Sequence, residues 1–187
     1  MKRKVVAVTG GIGSGKSEVC GILRQMGYAT VDCDVLARQI ADEKEVIAAV
    51  ERLLGADCLT NGTINRAKVR EIVFKDENLL KRYDEIFFGR VRQRLTDEIT
   101  NANGTVFVEI AVIDAFEFHF DEIWLVECEP NVQIERVTAR DNVSAENAMH
   151  IMKRQHYPNA TWVLHNDGSV EQLREQVISA LKRAKIV

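Results

Sequence analysis

The stretch KVVAVT (Lys4–Thr9), followed by GGIGSGKS (Gly10–Ser17), decides the fold of this chain. The short run of β-branched residues predicts a buried strand, and the apolar spacing from Glu18 to Met26 predicts a helix that starts at once. Between them lies a glycine-rich turn in which a glycine is followed by four residues and then by Gly-Lys-Ser. This spacing fits the P-loop pattern without a mismatch, in the strand–loop–helix context that the pattern requires.

A turn of this kind predicts a phosphate-binding site. Glycines permit backbone angles that other residues avoid, so that successive N–H groups can curl around an anion. The positive end of the following helix points at the same anion. Lys16 would reach the β- and γ-phosphates of a nucleoside triphosphate, and the Ser17 hydroxyl would hold Mg²⁺. A glycine-rich turn that binds nothing is the alternative. The predicted nucleotide-binding residues of the loop are Gly11, Gly13, Ser14, Gly15, Lys16 and Ser17.

Composition places the chain among ordinary globular proteins. It has 187 residues, of which 46% are apolar and 28% charged, so we expect a single domain covering residues 1–187. The formal charge of −3 gives no electrostatic reason to expect nucleic acid or an anionic membrane as a partner. The apolar run ends at Thr9, too early for a signal peptide or a membrane span. Four scattered cysteines without a C-x-x-C pair indicate free thiols in a reducing cytoplasm. The oligomeric state stays open.

Strands alternate with helices along the chain, which predicts a parallel sheet with helical crossovers. We therefore expect the α/β class, in a P-loop NTPase-type three-layer fold with a five-stranded parallel sheet. The helical, charge-rich block at residues about 62–102 is too long for a plain crossover and is predicted to be an inserted acceptor-binding lobe. A lid is predicted at residues about 136–158. The predicted strands are Lys4–Thr9, Tyr28–Val31, Thr105–Ile110, Glu122–Glu127 and Thr161–His165.

Acidic residues follow two of the predicted strands. Asp32 and Asp34 lie just past the second strand, at the end of the sheet where the P-loop also emerges. Either carboxylate could accept a hydroxyl proton or hold the magnesium shell, and Asp34 is the preferred base; helix capping is the alternative for both. Glu109, which closes the third strand, could act like a Walker B acid or could be a hydrogen-bonded carboxylate at a strand end.

The chain contains two pairs of arginines. Within each pair the two residues are four positions apart, on one face of a predicted helix. Arg136 and Arg140 follow the fourth strand, where a guanidinium could stabilise the charge of a transferring phosphoryl group. The competing interpretation is a solvated helix face paired with neighbouring carboxylates. Arg66 and Arg70 lie in the predicted lobe and could meet an anionic acceptor, although exposed charges are the default in that block.

Taken together, these segments resemble the dephospho-CoA kinase family over nearly the full length of the chain. Their order and spacing carry the resemblance more than any single segment after the P-loop. The matching segments are Thr9–Ser17, Val31–Asp34 with Ala37-Arg38, Arg66-x-x-x-Arg70-x-x-x-Phe74, Gln133-x-x-Arg136-x-x-x-Arg140-Asp141, Gln155, and Ala160–Gly168.

The resemblance implies transfer of the ATP γ-phosphate to the ribose 3′-hydroxyl of dephospho-CoA, the last step of coenzyme A synthesis. It implies ATP as the phosphoryl donor and Asp34 as the base. The P-loop pattern adds Mg²⁺ as a cofactor, with Ser17 and Asp34 as its predicted ligands. The resemblance also implies that Arg140 stabilises the phosphates from the lid. We further predict that Asp32, Arg66 and Arg70 contact the acceptor. The nucleotide site would include Glu18, Arg136 and Asn166.

The chain departs from the family pattern at several positions. Glu18 stands where the family usually has threonine, and Ile151 stands where the lid usually has arginine. Phe88-Gly89-Arg90 occupies the place of a His-Pro pair, and Ile110–Asp114 that of a Pro-Leu-Leu-Phe-Glu segment. These changes leave two alternatives open: a P-loop kinase for another hydroxyl acceptor, or a nucleotide-binding module that no longer catalyses transfer.

Overall fold

A computed structural model describes residues 3–113, 118–141, 143–153, 155 and 159–186 of the chain. By its internal contacts the chain divides into two compact units. The first comprises residues 1–32, 101–114 and 119–187, and the second comprises residues 33–100 and 115–118. The predicted residues Asp114, His156 and Pro158 lie outside the described residues.

The first unit contains the five-stranded sheet and four helices. Its strands are β1 (Val5–Gly10), β2 (Ala29–Asp32), β5 (Val106–Glu109), β6 (Glu122–Glu127) and β7 (Trp162–His165). Its helices are α1 (Lys16–Gln25), α6 (Pro130–Asp141), α7 (Ala145–Lys153) and α8 (Val170–Arg183).

The five strands run parallel in the order β2-β5-β1-β6-β7. The strand that enters the P-loop, β1, therefore lies in the centre of the sheet, and Val8 pairs with Glu109 on one side and with Trp124 on the other. This arrangement confirms the predicted α/β class and the five parallel strands. All five strands lie within a residue or two of their predicted bounds.

Helices α1 and α8 pack on the sheet around one apolar core. Alternate residues of β1, Val6 and Val8, face this core because side chains of a strand point to opposite faces in turn. Phe107 lies at its centre, with the rings of Tyr28 and Trp124 edge-on at 5.4 and 5.1 Å between centroids. Each fully buried side chain of this size stabilises the fold by about 1.5–3 kcal/mol. The core thus holds both ends of the P-loop, β1 and α1, in a rigid frame.

Side-chain hydrogen bonds are found at both ends of the sheet. Ser169 and Gln172 form the predicted capping box at the start of α8. At the amino ends of the strands, the carboxylate of Glu122 accepts hydrogen bonds from Lys4, Trp124 and Trp162. Since the hydrogen bonds of Glu122 lie at the opposite end of the sheet from the P-loop, they concern stability rather than the site.

The second unit is mainly helical. It contains α2 (Cys33–Ala41), α3 (Lys44–Leu54), α4 (Arg66–Val73) and most of α5 (Glu77–Asn101). A small hairpin, β3 (Leu59–Thr60) and β4 (Thr63–Ile64), precedes α4. The turn signal Asn61-Gly62 is confirmed as the turn of this hairpin, with φ of 51° and 76°, but the two short strands were not expected. They are too short to show an alternating pattern in the sequence.

This unit has a core of its own. Ile40, Val46, Val50 and Val69 are buried together with Val73 and Val91. Glu43 accepts hydrogen bonds from Arg90 at 2.8 Å and from Arg94 at 3.0 Å, which ties α5 to the start of α3. The predicted bounds of the inserted lobe and of the lid stay predictions. Among the described residues, no helix combines the length and the apolar character that crossing a membrane would need.

Candidate active site

The P-loop joins the carboxyl end of β1 to the first turn of α1. Gly13 has a φ of 76°, in the left-handed region, and a Cβ atom there would lie 2.9 Å from the carbonyl oxygen of Gln133. Only glycine fits this position without strain. The Ser14 hydroxyl is fully buried and has no hydrogen-bond partner among the described residues. Together these features give the curved backbone that a phosphate cradle requires.

Lys16 bends back over the loop that precedes it. Its Nζ donates hydrogen bonds to the carbonyl oxygens of Gly10 at 2.9 Å and of Gly11 at 3.0 Å. The ammonium group therefore lies beside the loop amides, at the positive end of α1. This is the place at which a lysine can neutralise phosphate oxygens.

An acidic edge adjoins the P-loop serine. The Ser17 hydroxyl donates a hydrogen bond of 2.5 Å to Glu109 Oε1, and Asp32 is the direct neighbour of Glu109 on the adjacent strand. Burial raises the pKa of the Cys20 thiol, and the nearby charges of Glu109 and Asp32 raise it further. Cys20 is therefore a neutral, buried thiol that packs beside these carboxylates, and it is not a nucleophile.

The oxygen atoms at this edge suit a hard cation. Mg²⁺ takes one or two protein ligands and completes its octahedron with water and phosphate oxygens. Within the described part of the chain, no group of three or more His, Cys, Asp or Glu side chains forms a self-contained metal site. Ser17 and Glu109 thus fit a magnesium ion that arrives with a nucleotide, and they do not fit a metal cage made of protein ligands alone.

Arg136 and Asn166 contact the P-loop from its carbonyl side. Arg136 donates to the carbonyl oxygens of Gly13 and Ser14, and Asn166 donates its side-chain N–H to Ser14 at 2.8 Å. Both residues were predicted from the sequence to bind the nucleotide, and that assignment stays a prediction. Every buried carbonyl needs a donor, but the sequence carried no sign of which side chains would supply it.

Arg140 lies one turn beyond Arg136 on α6, and its side chain is exposed. It makes two hydrogen bonds of 2.7 Å to the carboxylate of Asp141, and this contact holds the pKa of Asp141 below its usual value. The ion pair with Asp141 was the competing interpretation for this helix face. The predicted role of Arg140 at the phosphates stays a prediction.

One further side chain reaches the P-loop. Gln155 Oε1 accepts a hydrogen bond of 2.9 Å from the backbone N–H of Ile12. Gln155 matches the lid pattern of the family, but this contact was not predicted, because no local spacing relates residues so far apart. A segment after α7 is thereby tied to the loop.

The remaining predicted residues lie in the second unit. Asp34 is the second residue of α2, two positions after the end of β2, and its carbonyl oxygen accepts a hydrogen bond from Arg38. Arg66 and Arg70 are exposed on α4. Burial raises the pKa of Tyr83, and both arginines counteract this shift, so the two guanidinium groups lie near the phenol. Arg66 and Arg70 together form a cationic patch beside the half-buried ring of Tyr83.

A central parallel strand leading into a P-loop, with an acidic side chain on the P-loop serine, defines a P-loop kinase fold and site. Comparison with known proteins identifies the family within this class. The family model described as dephospho-CoA kinase matches residues 4–172. A dephospho-CoA kinase of Hydrogenovibrio crunogenus is 32% identical over 190 residues, covering 95% of this chain and 96% of that protein.

Two solved structures share the fold of this chain. A Thermus thermophilus protein is 30% identical with a TM-score of 0.87, and the match covers 98% of both chains. Dephospho-CoA kinase from Campylobacter jejuni, at 19% identity, a TM-score of 0.62 and 97% of both chains, shares the fold. The chain belongs to the dephospho-CoA kinase family.

Proposed function

We propose that this chain transfers the γ-phosphoryl group of ATP to the ribose 3′-hydroxyl of dephospho-CoA, giving coenzyme A and ADP. One observation carries the proposal: the P-loop, with Lys16 folded over it and Ser17 bonded to Glu109, lies in a chain that the family model matches from residue 4 to residue 172. The proposed substrates are ATP and dephospho-CoA.

Binding of the nucleotide phosphates is assigned to the P-loop. The backbone from Gly11 to Ser17 binds the phosphate chain, with Glu18 at its margin, and Lys16 neutralises the phosphate oxygens. Arg140 is assigned to stabilise the charge of the transferring group, exchanging its contact with Asp141 for one with phosphate. The predicted lid, residues about 136–158, would carry this arginine.

We assign Mg²⁺ to the acidic edge. Ser17 and Glu109 offer the hydroxyl and carboxylate oxygens that this ion prefers, and Asp34 is the further ligand predicted from the sequence. When bound, the ion neutralises charge on the β- and γ-phosphates. Glu109 also accepts a hydrogen bond from the Ser17 hydroxyl, which orients the serine oxygen.

The acceptor end is assigned to Asp34 and the lobe arginines. The Asp34 carboxylate takes the proton of the ribose 3′-hydroxyl as that oxygen bonds to the γ-phosphorus. The bond between the γ-phosphorus and the β–γ bridging oxygen breaks, and ADP leaves with the bonding electrons. Arg66 and Arg70 would bind the anionic part of the acceptor, and Asp32 would contact it beside Glu109.

We further propose a cytoplasmic location for the enzyme. Four free cysteines are buried in the described chain, and free thiols persist in a reducing compartment.

The direct test is an assay of ADP formation with ATP and Mg²⁺, with and without dephospho-CoA. ADP formation that depends on the acceptor, together with coenzyme A detected by mass spectrometry, supports the proposal. Activity with another hydroxyl acceptor but not with dephospho-CoA would show a different substrate. ATP binding without any turnover would show a nucleotide-binding module.

Asp34→Asn tests the assignment of the base. We expect kcat to fall by roughly 10²–10⁴-fold, since the proton acceptor is lost, while the dissociation constant for ATP stays within a factor of about two. Asp42→Asn is the matched control, because Asp42 is an exposed aspartate just after the same helix. Equal turnover by the wild type and the Asp34→Asn variant would exclude Asp34 as the base.

A further inference from the structure

The carbonyl groups of the P-loop accept hydrogen bonds from side chains elsewhere in the chain. In a trans peptide the C=O of one residue and the N–H of the next point in opposite directions. A loop that turns N–H groups toward an anion therefore turns the preceding carbonyl groups away from it. Those carbonyl groups are then buried against the rest of the protein and need hydrogen-bond donors of their own.

Asn166 supplies the best placed of these donors. Its Nδ2 lies 2.8 Å from the carbonyl oxygen of Ser14, and the residue is only 7% exposed. The partner of that carbonyl within the same peptide plane is the N–H of Gly15, the residue that caps α1. Holding the Ser14 oxygen from behind therefore sets the direction of the Gly15 N–H.

Arg136 anchors Asn166 and spans the same region. Its Nη2 donates to the carbonyl oxygen of Asn166 at 3.0 Å, while its Nη1 lies 3.4 and 3.5 Å from the oxygens of Gly13 and Ser14. The rigid fork of the guanidinium makes these contacts simultaneously, which a lysine cannot do. Arg136 thereby connects α6, the P-loop and the turn after β7.

Gly15 shows how closely Asn166 approaches the loop. Its φ is 99°, and a Cβ atom at this position would lie 1.9 Å from Asn166 Nδ2. A glycine is needed here for the backbone angle and also for the space that the asparagine amide occupies. The loop and Asn166 are fitted to one another.

We propose that Asn166 and Arg136 are positioning residues. They hold the Ser14–Gly15 peptide so that its N–H faces the phosphates, and they act on the nucleotide through the loop rather than by touching the base or the ribose. This inference rests on the proposed nucleotide site. It differs from the sequence-based expectation, in which both residues contact the nucleotide themselves.

The two roles are separated by comparing two anions. ATP has a phosphate chain, a ribose and a base, whereas inorganic tripolyphosphate has only the chain. A residue that orients the loop affects both anions equally, while a residue that contacts the base or the ribose affects ATP alone. Binding is measured by titration calorimetry on the full chain, without acceptor, at one ionic strength.

Three variants are compared with the wild type. Asn166→Leu removes the donor at similar volume and without adding a charge, and we expect both dissociation constants to rise about tenfold, as for one lost hydrogen bond to a buried group. Arg136→Lys keeps the charge but loses the fork, and both constants should rise by a smaller, equal factor. Arg174→Lys changes an exposed arginine that bonds Gln25 on α1, and it should leave both constants unchanged.

Each outcome decides the proposal. Equal weakening of ATP and tripolyphosphate supports it, whereas weakening of ATP alone assigns these residues to the base or the ribose and overturns it. A lower melting temperature with unchanged binding constants assigns a purely structural role and also overturns it. If Asn166→Leu does not fold, Arg136→Lys, which leaves Asn166 in place, decides by the same criterion. A wild type that binds neither anion would instead refute the proposed function.

Discussion

Ser17 donates a hydrogen bond of 2.5 Å to Glu109, linking the first turn of α1 to the carboxyl end of β5, the strand beside β1. The contact joins the hydroxyl expected to hold Mg²⁺ to a carboxylate 92 residues further along the chain. It favours the interpretation of Glu109 as a Walker B-like acid, since a carboxylate in this place can orient the serine oxygen and the ion's water ligands.

Glu109→Gln is expected to weaken the use of Mg²⁺. An amide keeps the size of the side chain but loses the negative charge, so the Mg²⁺ concentration giving half-maximal activity should rise roughly 10- to 100-fold. The measurement is turnover as a function of Mg²⁺ at saturating ATP and acceptor. Glu175→Gln, at an exposed position on α8, is the control. An unchanged Mg²⁺ curve for Glu109→Gln would leave the carboxylate a structural role only.

Glu18→Thr is expected to tighten ATP binding. The Glu18 carboxylate lies in the first turn of α1, where it interacts favourably with the same positive helix end that would bind the phosphates. Removing it should lower the dissociation constant for ATP by about two- to fivefold at low salt, and less at high salt because the charges are screened.

The same substitution should lower the free energy of unfolding by up to about 1 kcal/mol, since the helix loses a favourable charge at its amino end. Binding titrations at two salt concentrations and urea unfolding measure the two effects. Glu45→Thr, which removes a first-turn carboxylate from α3, should lower stability comparably without altering ATP affinity. ATP affinity that is equal in Glu18→Thr and wild type would place Glu18 too far from the phosphates to matter.

Arg66→Gln and Arg70→Gln are expected to impair the acceptor and spare ATP. Both guanidinium groups lie near Tyr83 in the second unit and are proposed to bind the anionic part of the acceptor. The loss of either one should therefore raise the KM for dephospho-CoA about tenfold, as for one charge-assisted hydrogen bond. Lys68→Gln, an exposed cation on the same helix, is the matched control for a general loss of positive charge. Equal KM values for all three variants would show that α4 contributes only surface charge.

Glu122→Gln is expected to destabilise the protein without altering catalysis. Glu122 Oε1 accepts from Lys4 at 2.6 Å, and Oε2 accepts from the indoles of Trp162 at 3.0 Å and Trp124 at 3.2 Å. An amide cannot accept all three hydrogen bonds, so the free energy of unfolding should fall by about 1–3 kcal/mol. Urea unfolding followed by tryptophan fluorescence measures the loss.

Turnover per folded molecule should stay at the wild-type value in Glu122→Gln, since Glu122 begins β6 and the P-loop follows the opposite ends of the strands. A loss of kcat larger than the loss of folded protein would contradict this separation between the two ends of the sheet.

The local sequence pattern was sufficient to predict much of the fold of this protein. The strand–loop–helix at residues 4–26, the five parallel strands and the α8 capping box were all predicted, because each depends on residues close together in the sequence. A β-branched run, glycines at set spacing and a Ser-x-x-Gln cap act through the backbone nearby. The carboxylate of Glu109 was a candidate for the same reason, since it ends a strand.

Long-range packing decided the rest. The hydrogen bonds from Ser17 to Glu109, from Asn166 to Ser14 and from Ile12 to Gln155 join residues 92, 152 and 143 positions apart. No local spacing can encode such contacts, because they exist only once the sheet order has brought the strand ends together. From the sequence alone, Asn166 and Arg136 were predicted to bind the nucleotide, and that assignment stays a prediction. In the tertiary structure they lie behind the loop, because a backbone that turns its amides toward an anion leaves its carbonyls to be satisfied from the other side.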